Sequence, residues 1–262
     1  MKKSYICIIC FLTLILIAGC ACGRTAAIGT YNIQIGRGLD RKYDLSRTVD
    51  AIRLLNAETV ILNEVDVKTD RSDKVDQAAF LAEKLKMNYV FGEASKRPGG
   101  IYGNAVLSIH KLEKLDVIDL PATARESRSA LVVKVHAPIP YYVIATHFAW
   151  EQKPEIEAQR IKCIDLIADY IDAKKYSPVI FGGDLNSHHD SAVIRRMQER
   201  KFKVLNDVNG KMFSYSSGNP DRLLDYLTIY PANSAGGKNI RTVNTQSSDH
   251  LPVAADFIFG SL

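Results

Sequence analysis

Cysteine is scarce in this chain: the 262 residues contain five. Cys7 and Cys10 lie in an apolar N-terminal run and Cys20 follows it, leaving Cys22 and Cys163 for the body. That excludes a disulfide framework. Cys163 recurs with Ile156, Ile164, Ile167 and Ile171 at helical spacing, the pattern of a small buried apolar residue and not of a nucleophile. No Pro-, Gly- or Ser-rich linker, internal repeat or low-complexity tract interrupts the chain, so residues 27–262 read as one domain. A strong charge of one sign is also missing. The formal net charge is +5, and removing residues 1–19 takes two lysines and no acid, leaving 32 basic against 29 acidic side chains, or +3. This is too mild to argue by itself for a nucleic-acid groove.

The N-terminus has Lys2 and Lys3, an apolar run over residues 5–17, and then Ile17-Ala18-Gly19-Cys20. This is the pattern of an export signal. The small residues before Cys20 resemble the bacterial lipobox, in which the cysteine becomes the lipid-modified first residue of the mature chain; an ordinary cleaved signal or an uncleaved anchor helix is the alternative. Residues 1–19 are then a lipoprotein signal peptide and residues 20–26 a short lipid-anchored tether. Even fully extended, such a tether spans only about 20 Å. The body is expected at the cell envelope, close to a membrane and facing the periplasm or exterior.

Along the body, residues 27–35 mix β-branched and aromatic side chains and predict a strand. Leu45, Val49, Ile52 and Leu55 predict a helix, and residues 59–62 a short apolar strand that delivers Asn63 and Glu64. A helix over residues 77–86 precedes strand candidates at 89–92, 104–109, 112–120, 130–135 and 141–146. A long helix over 154–174 leads to a strand at 179–181, a shorter helix over 191–199, and strands at 223–229, 240–243 and 253–259. Strand-helix-strand units alternate with hairpin runs, so the expected class is α/β with mixed sheets.

Residues able to do chemistry collect at or just beyond strand ends, where strands feeding one rim bring them together. Glu64 follows Val60-Ile61-Leu62, His147 follows Val143-Ile144-Ala145-Thr146, and Asp184 follows Val179-Ile180-Phe181. Each also has a plain reading. Asn32 fits a hydrogen-bonded sheet amide, Glu64 a solvated strand end, His147 a structural imidazole, and Gly183-Asp184-Leu185-Asn186 an Asx turn. Asp225 lies in an apolar strand between Leu224 and Tyr226, where an unpaired charge would cost several kcal/mol, and His250 is the obvious partner. His250 is also the side-chain type that exchanges a proton near neutral pH.

Taken together and in order, these residues resemble the endonuclease/exonuclease/phosphatase superfamily, the deoxyribonuclease-I-like metal hydrolases. The motifs are Tyr31-Asn32-Ile33, Ile61-Leu62-Asn63-Glu64-Val65-Asp66, Tyr102-Gly103-Asn104-Ala105, Thr146-His147, Gly182-Gly183-Asp184-Leu185-Asn186, Leu224-Asp225-Tyr226 and Ser248-Asp249-His250-Leu251-Pro252. The resemblance implies a four-layer α/β sandwich, with two mixed β-sheets face to face and helices outside, and a monomeric divalent-metal-dependent phosphoester hydrolase. It implies that Glu64, with Asn32 and Asp249 nearby, holds Mg²⁺ or Mn²⁺. Asp184 and Asn186 would position the attacking water, bind the phosphate or complete a second metal site. His250, oriented by Asp225, would carry a proton or donate to a phosphate oxygen, with His147 in a similar part and Asn104 orienting His147. One departure is Asn63, where the superfamily usually has Gln.

Substrate is expected to be read by residues 66–76, 95–102, 148–153, 187–190 and 214–222. Lys96-Arg97-Pro98-Gly99-Gly100 reads as a flexible basic loop. Arg125 and Arg128 can grip a phosphate bidentately or be surface arginines, Phe148 reads as packing, and Trp150, the one tryptophan, is open. The expected substrate is a phospholipid head group, sugar phosphate or similar ester. The short tether favours this, as do Ile35-Gly36-Arg37-Gly38-Leu39-Asp40 and Val75-Asp76-Gln77, which resemble a branch near GPI-lipid remodelling and sphingomyelinase-like proteins. A nuclease acting on DNA or RNA is the alternative; a lapsed, non-catalytic module is disfavoured by the complete residue set.

Overall fold

Two apolar strand-helix-strand units organise the chain, as the computed structural model shows over residues 23–123, 126–206 and 212–260. Cys20, the signal segment and Arg125 lie outside these described residues. In the first unit β1 (Arg24–Asn32) and β2 (Thr59–Val67) run parallel, joined by helix α1 (Leu45–Leu55). In the second, β7 (Tyr141–His147) and β8 (Val179–Asp184) run parallel, joined by α3 (Pro154–Lys174). The remaining elements are α2 (Gln77–Leu85), β3 (Asn88–Arg97), β4 (Gly100–Ser108), β5 (Leu112–Thr123), β6 (Glu126–Val135), α4 (Ala192–Glu199), β9 (Lys203–Val204), β10 (Asp225–Tyr230), β11 (Gly236–Thr242) and β12 (Val253–Phe259). Antiparallel pairing completes two six-stranded sheets, β11-β12-β1-β2-β4-β3 and β5-β6-β7-β8-β10-β9.

The central strands are near-continuous apolar runs because both of their faces are buried. Along β2, Ile61 turns inward to Val106, Val143 and Ile180 between the sheets, while Val60 and Leu62 meet Val49 and Ile52 of α1 and Leu81 of α2. On the other side, Ile144 and Phe181 pack under Ile164 and Ile167 of α3 and Val193 and Met197 of α4. Cys163 is buried in that layer. The result is the expected four-layer sandwich. Helix starts follow from local capping: Asp44 accepts from Ser46 N at 2.9 Å and Asp76 from Ala79 N at 3.0 Å. No helix among the described residues is long and apolar enough to cross a membrane.

Three readings of the sequence need correction. The first strand ends at Asn32, because Gln34 and Ile35 take left-handed φ values of 45° and 51°. It begins at Arg24, so only three residues separate it from Cys20. The supposed flexible loop 96–100 is a tight hairpin: β3 and β4 pair to Arg97 and Gly100 around Pro98-Gly99. Its glycines serve close packing. A Cβ on Gly103 would lie 2.0 Å from Gly92 O, and one on Gly100 2.1 Å from Val67 O.

Gly183 makes the tightest approach. Its φ is +135°, and a Cβ would fall 1.9 Å from Thr146 O in the neighbouring strand. Gly183→Ala is expected to cost more than about 3 kcal/mol. Gly236→Ala, whose Cβ would sit 3.4 Å from the Ile258 Cβ, is expected to be nearly neutral. Urea unfolding of the two variants checks this; similar losses for both would contradict it.

Candidate active site

The four central strands all run toward one end of the sandwich, where they deliver Asn32, Asn63-Glu64, His147 and Asp184. The antiparallel strands β10 and β12 start at that end, so Asp225 pairs across from Asp184 and Asp249-His250 lies just before β12. Glu64 reaches the cleft through a break in strand alternation. The β2–β4 register shifts between Leu62 and Val65, and Glu64 has φ +56°. Such a bulge re-aims a side chain at the expense of backbone strain. Asn63 joins the sheets: its Oδ1 accepts from Asp184 N at 2.9 Å, and its Nδ2 donates to Asn104 Oδ1 and Thr146 O, both at 2.8 Å.

Asp184 is the hub. Its Oδ2 lies 3.4 Å from His147 Nε2 and 3.6 Å from His250 Nε2, and accepts from Asn32 Nδ2 at 3.1 Å. Its Oδ1 accepts from Asn186 N at 2.9 Å, which holds the Asn186 turn at φ +48°. His250 Nδ1 is 2.7 Å from Asp225 Oδ2, and its ring centroid is 4.9 Å from that of Tyr215. The other imidazole faces cations. His147 Nδ1 is 3.1 Å from an Arg128 guanidinium nitrogen, and Arg128 is held in turn by Glu126 at 2.8 Å.

These neighbours drive the two imidazoles apart. Burial opposes charge on His250, but Asp225 and Asp184 outweigh it and push the group up to about 10. Burial, then Arg128 and His250, hold His147 well below the usual imidazole range. One ring is a cation at neutral pH and the other is neutral. Burial, aided by Asp225, pushes Asp184 up to about 7 against the pull of His250. Glu64 is raised by burial and then by the charge of Asp249, and Asp249 is itself raised by burial.

Glu64 and Asp249, both held up by burial, form no ion pair among the described residues, and a hard divalent ion would supply the missing positive charge through oxygen ligands. Asp184, Asp225 and His250 bring ligand atoms within 4.8 Å of one another. The short Asp225–His250 hydrogen bond and the charge on His250 make that trio a proton-holding group. Glu64 and Asp249 fit the ion better. Asn32 presents a donor to Glu64 and Asp184: its Oδ1 is occupied by Gln34 N at 3.0 Å, so its Nδ2 faces Glu64 at 3.2 Å and Asp184 at 3.1 Å. In this arrangement it organises the carboxylates and offers no ligand oxygen toward them.

The residues expected at the rim therefore converge, with changes of task. Asn104 makes no hydrogen bond to His147. Its amide binds Asn63 and Ser129 O, and His147 is oriented by Arg128, Asn186 and Tyr102. Arg128 is no surface arginine: it is 4% exposed and already engaged on both sides. Phe148 is buried and Trp150 is 59% exposed. The cleft has a volume of about 610 Å³, and each of the five expected segments lines it, through Arg71, Tyr102, Trp150, His188 and Arg222. Gln77 ties two of the motif segments together structurally, donating to Ile35 O at 2.8 Å. The roles of Arg128 and Glu126 went unread, although their spacing of two places both on one face of a strand.

Glu64, Asp184 and Asp249 have native values above their unfolded ones, so their contribution to stability is greatest at low pH and is lost as pH rises, for Asp184 through about 7. A divalent ion competes with those protons. The gain in Tm on replacing chelator with Mg²⁺ or Mn²⁺ is therefore expected to be larger at about pH 8 than at about pH 5; equal gains would contradict the assignment. In chelator, Glu64→Gly is expected to stabilise the fold by about 1 kcal/mol, because glycine accepts the left-handed φ without strain, while the metal-dependent gain disappears. Denaturant unfolding with and without metal reads both effects, and a loss of metal-free stability would count against a strained, function-serving Glu64.

Residues 29–250 match the model of the Endonuclease/Exonuclease/phosphatase family. The chain is 25% identical over 249 residues to the uncharacterized protein YbhP of Escherichia coli strain K12, covering 87% of this chain and 94% of that one. Its fold is similar to that of the endonuclease/exonuclease/phosphatase from Beutenbergia cavernae, with TM-score 0.76, 23% identity and coverage of 90% of this chain and 72% of that one. It is also similar to the Bacteroides vulgatus protein of the same description, with TM-score 0.70, 18% identity and coverage of 89% and 98%. The family match takes in both strand-helix-strand units and runs through His250, so this chain belongs to the Endonuclease/Exonuclease/phosphatase family, whose members are hydrolases acting on phosphoesters.

Proposed function

We propose that the chain is a divalent-metal-dependent phosphoester hydrolase carried at the cell envelope on a lipid-modified Cys20. The observation that carries the chemistry is the placement of a raised carboxylate, Asp184, between a charged imidazole and a neutral one. The acidic pair Glu64 and Asp249 would hold Mg²⁺ or Mn²⁺, which when bound neutralises a non-bridging oxygen and makes water more acidic.

The protein's own groups supply the rest. His250, its Nδ1 proton held by Asp225, points Nε2–H into the cleft as a cationic donor to a phosphate oxygen. Asp184 is basic enough near neutrality to take the proton from the attacking water as oxygen bonds to phosphorus and the opposite P–O bond breaks. Arg128 donates to His147 Nδ1, which leaves the His147 proton on Nε2. That N–H faces Asp184 Oδ2 at 3.4 Å, and the Asn186 amide, which donates to Phe148 O at 3.0 Å, lies 3.1 Å from the same nitrogen.

The cleft suits a phosphoester with one neighbouring group, such as a head group or sugar phosphate. Arg71 and Arg222 supply cations at its walls and exposed Trp150 a stacking face. The same stacking face suits a nucleobase, which makes endo- or exonuclease action on DNA or RNA the second reading. Glu64→Ala and His250→Ala are each expected to lower metal-dependent release of p-nitrophenol from bis-p-nitrophenyl phosphate by about 10²-fold or more; unchanged rates would sink the assignment. Assays of residues 23–262 against plasmid DNA, RNA, lipid head groups and sugar phosphates separate the two readings, and nucleic-acid turnover far above the others would select the nuclease.

A further inference from the structure

The chain enters the fold at the pole opposite the cleft. Arg24 opens β1, and eight residues later the same strand delivers Asn32 to the site, a separation of roughly 27 Å. At the entry pole Arg24 pairs with Glu58 at 3.8 Å, and Ile109 N donates to Glu58 O at 3.0 Å. Leu54, in the last turn of α1, and Tyr89, at the start of β3, share this end because β1, β2 and β3 start there and β4 ends there. The exposed large apolar side chains among the described residues are Leu54 at 68%, Ile109 at 53%, Tyr89 at 41% and Trp150 at 59%. The first three lie at the entry pole, with exposed Lys86 and Lys111 beside them. Only Trp150 lies at the cleft.

On the reading that Cys20 carries a lipid, we infer that the entry pole rests on the bilayer and the catalytic cleft faces the aqueous compartment. Three residues between Cys20 and β1 reach at most about 11 Å when extended, which holds this pole at the membrane surface. Leu54, Tyr89 and Ile109 enter the interfacial region, and the lysines meet anionic head groups. The tether is too short to let the opposite pole turn down to the same leaflet while these contacts persist. The substrate is then a phosphoester that arrives through water, dissolved or presented on another surface, and not a head group in the leaflet that holds the anchor.

The one tryptophan reports the orientation without reference to activity. The full-length chain, purified from membranes with its native N-terminus, is reconstituted into vesicles of phosphatidylcholine and phosphatidylglycerol, and Trp150 fluorescence is quenched with iodide or with brominated phosphatidylcholine. Iodide is expected to quench Trp150 and brominated lipid to leave it unchanged. In the Trp150→Phe background, Ile109→Trp is expected to lose fluorescence to brominated lipid. Quenching of Trp150 by brominated lipid would overturn the inference, as would an Ile109→Trp signal untouched by it. Recovery of the full chain in the soluble fraction of cells would instead overturn the anchoring reading itself, and fractionation of wild type against Cys20→Ser reads that separately.

Discussion

The Asn63 amide is the joint on which the site depends. Each sheet builds half of the cleft, and an error of an ångström between the halves would separate Glu64 from Asp184. Asn63 prevents that by reaching from β2 to the backbone of β7 and β8 through two hydrogen bonds, with a third to Asn104 of its own sheet. Burial makes each of these bonds costly to lose, because the freed donor or acceptor would have no water. Gly183 belongs to the same joint, since only a residue without Cβ admits the close passage of Thr146 O. The shorter amide at this position is therefore a working part of the sheet-to-sheet fit in this chain.

The joint also concentrates charge. Four carboxylates, two imidazoles and an arginine occupy a region from which protein atoms exclude most water. Their ionisation is decided by surroundings: Asp225 and Asp184 outweigh burial and keep His250 charged, while burial, reinforced by Arg128, keeps His147 neutral. The strained Glu64 and the crowded acids would be liabilities in a structural protein. They make sense where a cation and a phosphate complete the balance.

Much of this was legible in the chain itself. Glu64, His147 and Asp184 stand out because polar residues end apolar runs, and Asn32 and Asp225 because a polar group inside a strand demands a partner. The α/β class with mixed sheets followed from strand-helix-strand units alternating with hairpin runs, and the layer order from the family resemblance. What could not be read depends on backbone detail that side-chain type does not report. Nothing in Leu62-Asn63-Glu64-Val65 announces the bulge that turns Glu64 to the cleft. Pro98-Gly99-Gly100 suggests a flexible loop, yet Gly100 marks tight packing against Val67 O. Asn104 was given to His147 because it lies in a motif, while geometry gives its amide to Asn63 and Ser129.

The claim most exposed to test is that Asp184 works between one charged and one neutral imidazole. The pH dependence of kcat/KM for bis-p-nitrophenyl phosphate, measured with saturating Mg²⁺, addresses it directly. An acid limb is expected at or below about pH 7, where Asp184 loses its proton, with activity sustained to about pH 9 because His250 stays protonated. Activity that instead falls as pH rises through about 6.5, the range of an ordinary imidazole, would contradict it.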